Sequence, residues 1–134
     1  MMQISKVMVV DDDPSIRRIA EISLTRVGRW NVLMVQSGEA ALSALGDFNP
    51  DVIVMDFMMP GMDGAELFAE MRKLTDTPII FMTAKVHVHE VHGYYQIGAN
   101  GVISKPFDPM KLPEQIQSIC QQPSQSIQQT SGIA

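Results

Sequence analysis

The sequence predicts an α/β fold: an open five-stranded parallel sheet with helices on both faces. Three observations predict it. Short apolar runs alternate with stretches of helical periodicity along most of the chain. The runs are apolar on both faces, as strands buried between two layers must be. One helix separates each run from the next, and right-handed crossovers then place the helices on two faces of the sheet.

Ile4 to Val10 is apolar except for Ser5 and Lys6, and it stops at Asp11. Asp13-Pro14 reads as a helix start, with Asp as N-cap and Pro at the first helical position. Ile16, Ile19, Ala20, Ser23 and Val27 follow at helical spacing, and Gly28 ends the helix. Trp30 to Val35 is the second strand. Ser37 caps a helix carrying Ala41, Ala44 and Leu45 on one face, and Asn49-Pro50 breaks it. Asp51 to Asp56 is the third strand, continuously apolar between two aspartates. Met59 to Gly64 is turn chemistry with Asp63 as the next N-cap. Leu67, Met71 and Leu74 mark the third helix, and Pro78 to Met82 the fourth strand. A helix runs from about Val86 to Ile97 and ends at Gly98. Gly101 to Ser104 is a short fifth strand. Asp108-Pro109 repeats the helix-start signal, and Leu112, Ile116 and Ile119 mark the last buried face.

The chain has 134 residues, 46% hydrophobic and 19% charged, which fits one globular domain and excludes a disordered chain. The expected division is a folded domain over residues 1–122 and a flexible Gln/Ser-rich tail over 123–134. A net charge of −5 is unlike a nucleic-acid binder, so no nucleic-acid partner is expected. A single cysteine, Cys120, cannot form an internal disulfide and points to a reducing compartment. No apolar run approaches the roughly 20 residues that span a bilayer. Val7-Met8-Val9-Val10 is too short for a signal-peptide core. These features together predict a cytoplasmic domain with no membrane partner.

In an open parallel sheet, sites form beyond the carboxyl ends of the strands. Those ends carry Asp11-Asp12-Asp13, Asp56, Thr83 and Ser104-Lys105-Pro106. Converging carboxylates repel and invite a hard divalent cation such as Mg²⁺. Two or three carboxylates, one Mg²⁺ and one lysine nearly cancel, so the site accepts a phosphoryl dianion. A carboxylate is then a reasonable nucleophile, forming an aspartyl phosphate.

The motifs at these ends are Asp11-Asp12-Asp13-Pro14-Ser15-Ile16-Arg17, Asp56-Phe57-Met58-Met59-Pro60-Gly61-Met62-Asp63-Gly64, Met82-Thr83-Ala84 and Lys105-Pro106-Phe107. In this order and spacing they resemble the receiver domain of bacterial response regulators, of the single-domain chemotaxis type, over about residues 4–120. The resemblance implies a flavodoxin-like (βα)5 fold with strand order 2-1-3-4-5. It implies a switch in a two-component system, phosphorylated by a histidine kinase or phosphotransfer protein. It implies no enzyme activity beyond self-catalysed phosphoryl transfer and autodephosphorylation. By resemblance Asp56 is the phosphoacceptor, Asp12 ligates Mg²⁺, Asp11 acts through a metal-bound water, and the Met58 backbone carbonyl is a further ligand. Thr83 donates its hydroxyl to the phosphoryl group and Lys105 pairs with it. The bond before Pro106 is expected to be cis. Output is expected by protein contact, across the face of the fourth helix, fifth strand and fifth helix, with Tyr94 or Tyr95 as exposed anchors.

Two positions depart from the family pattern. Val102 stands where many receivers carry a switch aromatic, three residues before the lysine. Met58 and Lys85 sit two residues past Asp56 and Thr83, flanking the route of the hydrolytic water.

Other readings stand beside these. Asp11-x-Asp13 after an apolar strand resembles the nucleophile motif of haloacid-dehalogenase-type enzymes, in which Asp11 would carry the phosphate. Pro14-Ser15 replaces the apolar residues expected next in that motif. A pseudo-receiver that binds without phosphorylation is a third reading. Asp13 alone is a helix cap. His87, His89 and His92 read as an exposed helix face, not a zinc site. The eleven methionines are core and loop filler, and Cys120 is a buried small residue.

Overall fold

The computed structural model describes residues 3–121. The strands are Lys6–Val10 (β1), Asn31–Val35 (β2), Val52–Asp56 (β3), Ile79–Thr83 (β4) and Gly101–Ser104 (β5). The helices are Pro14–Ile22 (α1), Gly38–Phe48 (α2), Gly64–Arg72 (α3), Val88–Ile97 (α4) and Leu112–Gln121 (α5). All pairings are parallel, and the sheet has the order β2-β1-β3-β4-β5. The expected fold and strand order are therefore both present. The tail expected over 123–134 lies outside the described residues.

Alternation along the strands divides the core in two. Val7, Val9, Val52, Val54, Ile80, Met82 and Ile103 pack with Ala20 and Leu24 and with Leu112 and Ile116 of α5. Met8, Val10, Ile53, Met55, Ile79 and Phe81 face the other way, toward α2, α3 and α4. Each fully buried side chain of this size contributes roughly 1.5–3 kcal/mol relative to exposure. The central strands are buried along their whole length, and that is why they read as continuous apolar runs.

Several boundaries differ from the sequence reading, each for a local reason. The first helix does not stay α-helical to Gly28. Over Ser23–Val27 it widens to π-helical turns, and the Gly28 N–H bonds the Ser23 carbonyl at 3.1 Å. The Ser23 hydroxyl donates to the Pro109 carbonyl, tying this stretch to the approach to α5. The third helix stops at Arg72, and Leu74 is 64% exposed. There the Arg72 guanidinium lies 4.7 Å from the Phe68 ring centroid and donates to the Thr77 carbonyl at 2.7 Å. Helix α4 begins at Val88, because Glu90 reaches back to accept from the His87 N–H at 3.3 Å. Asp108-Pro109 opens a turn instead of a helix. The Asp108 side chain accepts from the Met110 N–H at 2.9 Å, and α5 starts only at Leu112.

The loop that follows Asp56 is held by a close approach. The Gly64 N–H donates to the Phe57 carbonyl at 2.8 Å. A Cβ on Gly64 would lie 2.8 Å from the Phe57 Cα. Backbone cannot yield as a flexible side chain does. We therefore expect Gly64→Ala to destabilise the domain by about 1–3 kcal/mol. Gly93 in α4 has open space around its Cβ position. Gly93→Ala should stabilise by roughly 0.5–1 kcal/mol through helix propensity. Urea unfolding of both variants checks the pair, and equal effects at the two sites would contradict the close approach.

Candidate functional site

The chain winds outward from β1 to β2, then returns to place β3 on the other side of β1. The crevice of such a sheet opens where the winding reverses, here between the carboxyl ends of β1 and β3. Asp11 and Asp56 stand at those two ends. Both are buried, at 0% and 7% exposure.

One local device recurs around the site. The Asp11 side chain accepts from the Asp13 N–H at 2.9 Å, and Asp56 from the Met58 N–H at 3.1 Å. The Thr83 hydroxyl accepts from the Lys85 N–H at 3.2 Å. Each is a side chain bonding the backbone two residues on, the turn favoured by Asp and, more weakly, by Thr. The turn ends the strand and fixes the oxygen in place. Asp13 does the same for the Ser15 N–H at 2.8 Å and serves as the cap of α1. Its carboxylate is spent on the helix, outside the carboxylate cluster.

Lys105 joins the two buried acids. Its Nζ lies 2.7 Å from Asp11 Oδ2 and 3.3 Å from Asp56 Oδ2. The peptide between Lys105 and Pro106 is cis, as expected. Burial acts to lower the lysine's pKa. Its bond to Asp11, then the charges of Asp11 and Asp56, outweigh burial and hold it above the ordinary lysine value. Asp56 is pushed above the ordinary carboxylate range, first by burial and then by the charge of Asp11. The Met58 N–H and Lys105 offset part of that rise.

Asp12 completes the cluster from the exposed side. Asp11, Asp12 and Asp56 each offer an oxygen, and the three oxygens lie within 4.8 Å of one another. Asp11 Oδ2 is fully buried, and the Lys105 ammonium at 2.7 Å is its contact. Three carboxylates against one ammonium leave an all-oxygen set with excess negative charge, which fits a hard divalent cation like Mg²⁺. Among the described residues these aspartates form the one group with spacing for a metal. His87, His89 and His92 are all exposed, and the first two rings stack in parallel at 6.4 Å.

Thr83 is buried at the end of β4, and Met58 enters the site through its amide. The Met58 side chain, 51% exposed, lines a groove with Lys85, Phe57 and Tyr94. Cys120 is half-buried, and burial pushes its thiol up to about 11, so it is not a poised nucleophile.

Two contributors escaped the sequence reading. Arg17 donates to the Asp11 carbonyl at 2.8 Å and braces the β1 end from within α1. Tyr94 is not an exposed anchor: it is 4% exposed, packed against Phe57 and Phe81, and donates to the Lys85 carbonyl at 2.8 Å. Its position three residues before Ile97, which faces the core, is the signal that puts it inside. Tyr95 is half-buried.

The family model for the response regulator receiver domain matches residues 7–117. The chain is 41% identical to a probable transcriptional regulator, ycf27, of Porphyridium aerugineum, covering 88% of this chain and 49% of that protein. It is 32% identical to the DNA-binding response regulator MtrA of Mycolicibacterium smegmatis, over 84% of this chain and 49% of that one. The chain thus spans about half the length of these curated relatives. Among solved structures it resembles the chemotaxis response regulator CheY4 of Vibrio cholerae, with a TM-score of 0.80 and 31% identity, over 87% of this chain and 99% of that one.

The raised Asp56 pKa has a consequence for stability. Folding strengthens proton binding at this carboxyl, so the domain loses stability as pH rises through the raised value. Asp56→Asn should therefore raise the Tm in chelator at neutral pH, by about 4 °C per kcal/mol relieved. The advantage should shrink as pH falls through the raised folded-state value toward the ordinary carboxylate range, because the wild-type carboxyl protonates there. Thermal melts across that range check it, and a pH-independent difference would contradict the assignment.

Proposed function

The chain belongs to the response regulator receiver domain family, and on that premise we propose that Asp56 accepts a phosphoryl group from a histidine kinase or phosphotransfer protein. The single observation that carries this is Asp56 itself: a carboxylate at the sheet's switch point, joined by Lys105 to Asp11 and close to Asp12. In transfer from a phosphohistidine, Asp56 attacks phosphorus, a P–O bond forms, the P–N bond breaks, and the imidazole leaves. Mg²⁺ held by Asp11, Asp12, Asp56 and the Met58 backbone carbonyl would supply positive charge to the equatorial oxygens. Lys105 stands within reach of Asp56 and offers the second positive charge. The ammonium that now neutralises two acids turns its donors toward a phosphoryl oxygen. Thr83, on the neighbouring strand end, has a hydroxyl proton to give.

Turnover of the acyl phosphate depends on water reaching it. Met58 and Lys85 line one groove beside the site, so a bulky apolar side chain and a cation shape that approach. We place output on the face of α4, β5 and α5, where Val88 is 86% exposed. DNA contact is stated in the name of the MtrA relative, which is about twice as long; for this chain, net charge −5 favours output through protein. No helix among the described residues is long and apolar enough to cross a membrane. We assign the domain to the cytoplasm, alongside a kinase's catalytic portion.

The phosphatase reading needs Asp13 as a partner to Asp11. The cap that Asp13 makes to α1 speaks against it. Incubation with a small phosphodonor and Mg²⁺ separates the two. Asp56 should carry an acid-stable, base-labile acyl phosphate, and Asp56→Asn should abolish labelling. Asp12→Asn should weaken Mg²⁺ binding about tenfold or more. Label on Asp11 would establish the phosphatase reading instead, and unchanged Mg²⁺ affinity would overturn the ligand set.

A further inference from the structure

We propose that Tyr94 is a positioning residue that couples the Thr83 hydroxyl to the loop between β4 and α4, and that release of its bond to Lys85 passes occupancy of Asp56 to α4. The inference rests on Asp56 as the phosphoacceptor.

Lys85 is held at both its backbone groups. Its N–H donates to the Thr83 hydroxyl at 3.2 Å, and its carbonyl accepts from the Tyr94 hydroxyl at 2.8 Å. The loop is thereby strung between the end of β4 and the middle of α4. By strand alternation Thr83 leaves β4 on the side of Ile79 and Phe81, the side that faces α4. Burial raises the Tyr94 pKa, and Thr83 offsets part of that rise. The charges of Glu90 and Asp56 add to it.

The ring of Tyr94 touches the backs of both functional strand ends. Its centroid is 4.7 Å from Phe57, the residue after Asp56, and 5.5 Å from Phe81, two before Thr83. Val102, on β5, packs against the same cluster but is β-branched, with little rotamer freedom. The aromatic able to respond here sits on α4, not on β5.

The sequence of events follows from these bonds. A phosphoryl group on Asp56 draws the Thr83 hydroxyl toward it. The Lys85 N–H loses its acceptor, and the loop moves with Thr83. The Lys85 carbonyl then leaves the phenol. A buried phenol without an acceptor is unfavourable, so the ring shifts toward the adjoining groove. Gly93, with open space at its Cβ position, lines that groove beside Phe57 and Met58. The shift carries α4.

Tyr94→Phe keeps the ring and removes the bond that holds the resting loop. Beryllofluoride with Mg²⁺ serves as the phosphoryl probe, titrated by the Met58 amide resonance. Loss of one net hydrogen bond from the resting state should tighten probe binding about two- to tenfold. Amides of residues 84–88 in the probe-free variant should lie part-way toward their probe-bound positions. Tyr95→Phe should behave as wild type. In the wild-type protein the Tyr94 ring resonances should move on probe binding while those of Tyr95 stay. Wild-type affinity and excursion in Tyr94→Phe, or an unmoved Tyr94 ring while residues 84–88 shift, would overturn the coupling alone. Failure of the wild-type protein to bind the probe at all would overturn the phosphoacceptor reading, and the coupling with it.

Discussion

Two buried carboxylates at adjacent strand ends, sharing one ammonium, are the constraint around which this molecule is arranged. Like charges about 4 Å apart repel by about 4 kcal/mol at an effective dielectric constant near 20. The sheet order forces the meeting, because β1 and β3 are hydrogen-bonded neighbours, Asp11 follows β1 directly and Asp56 ends β3. Lys105 offsets part of the cost, while burial first and the charge of Asp11 after it hold the Asp56 carboxyl above the ordinary carboxylate range. Three loops at this edge supply something to the same problem: an N–H from Asp13, an N–H from Met58, the lysine itself after β5. The remaining negative charge is what a divalent cation would neutralise. A site built this way is poised for ligand, since the ligand relieves a cost that folding has already incurred.

The sheet was legible because its strands are buried on both sides. Val52 to Met55 and Ile79 to Met82 leave no polar position for a helix's outer face, so their runs admit only a central strand. The strand order was not legible from pattern and came with the family resemblance. Helix ends were less legible, and the misses share a cause. Leu74 continues the apolar spacing of α3, but the bond from Arg72 to the Thr77 carbonyl ends the helix first. Asp108-Pro109 has the chemistry of a cap, yet its side chain closes a turn. A local signal was present in each case, and a contact with another segment or a competing turn decided its use.

Site residues at strand ends were legible for a geometric reason. A parallel sheet brings all its carboxyl ends to one edge, so four sequence positions converge without any knowledge of helix packing. Tyr94 was not legible in that way. Its role depends on the rotation of α4 about its axis and on the depth to which Phe57 and Phe81 fill the layer beneath. Two adjacent tyrosines in a helix look alike in sequence. One lies three residues from Ile97 and goes in; the next turns away by about 100°.

Strand alternation also divides labour between the two faces. Asp11, Asp56 and Lys105 share the parity of Val9, Val54 and Ile103, which point to α1 and α5. Thr83 has the opposite parity, that of Phe81, toward α4. The charge chemistry is therefore anchored on one side of the sheet, and Arg17 of α1 braces it there. The one hydroxyl of the set stands on the other side, bonded into the loop that leads to α4. Under the proposed function a phosphoryl group must draw on both sides at once. On the α1 side the response is electrostatic and needs little movement, because Lys105 is already in place. On the α4 side the hydroxyl must leave an existing bond, so that is where displacement arises. The direction of signal output follows from the pleat of β4: the side chain that has to move is the one that faces α4.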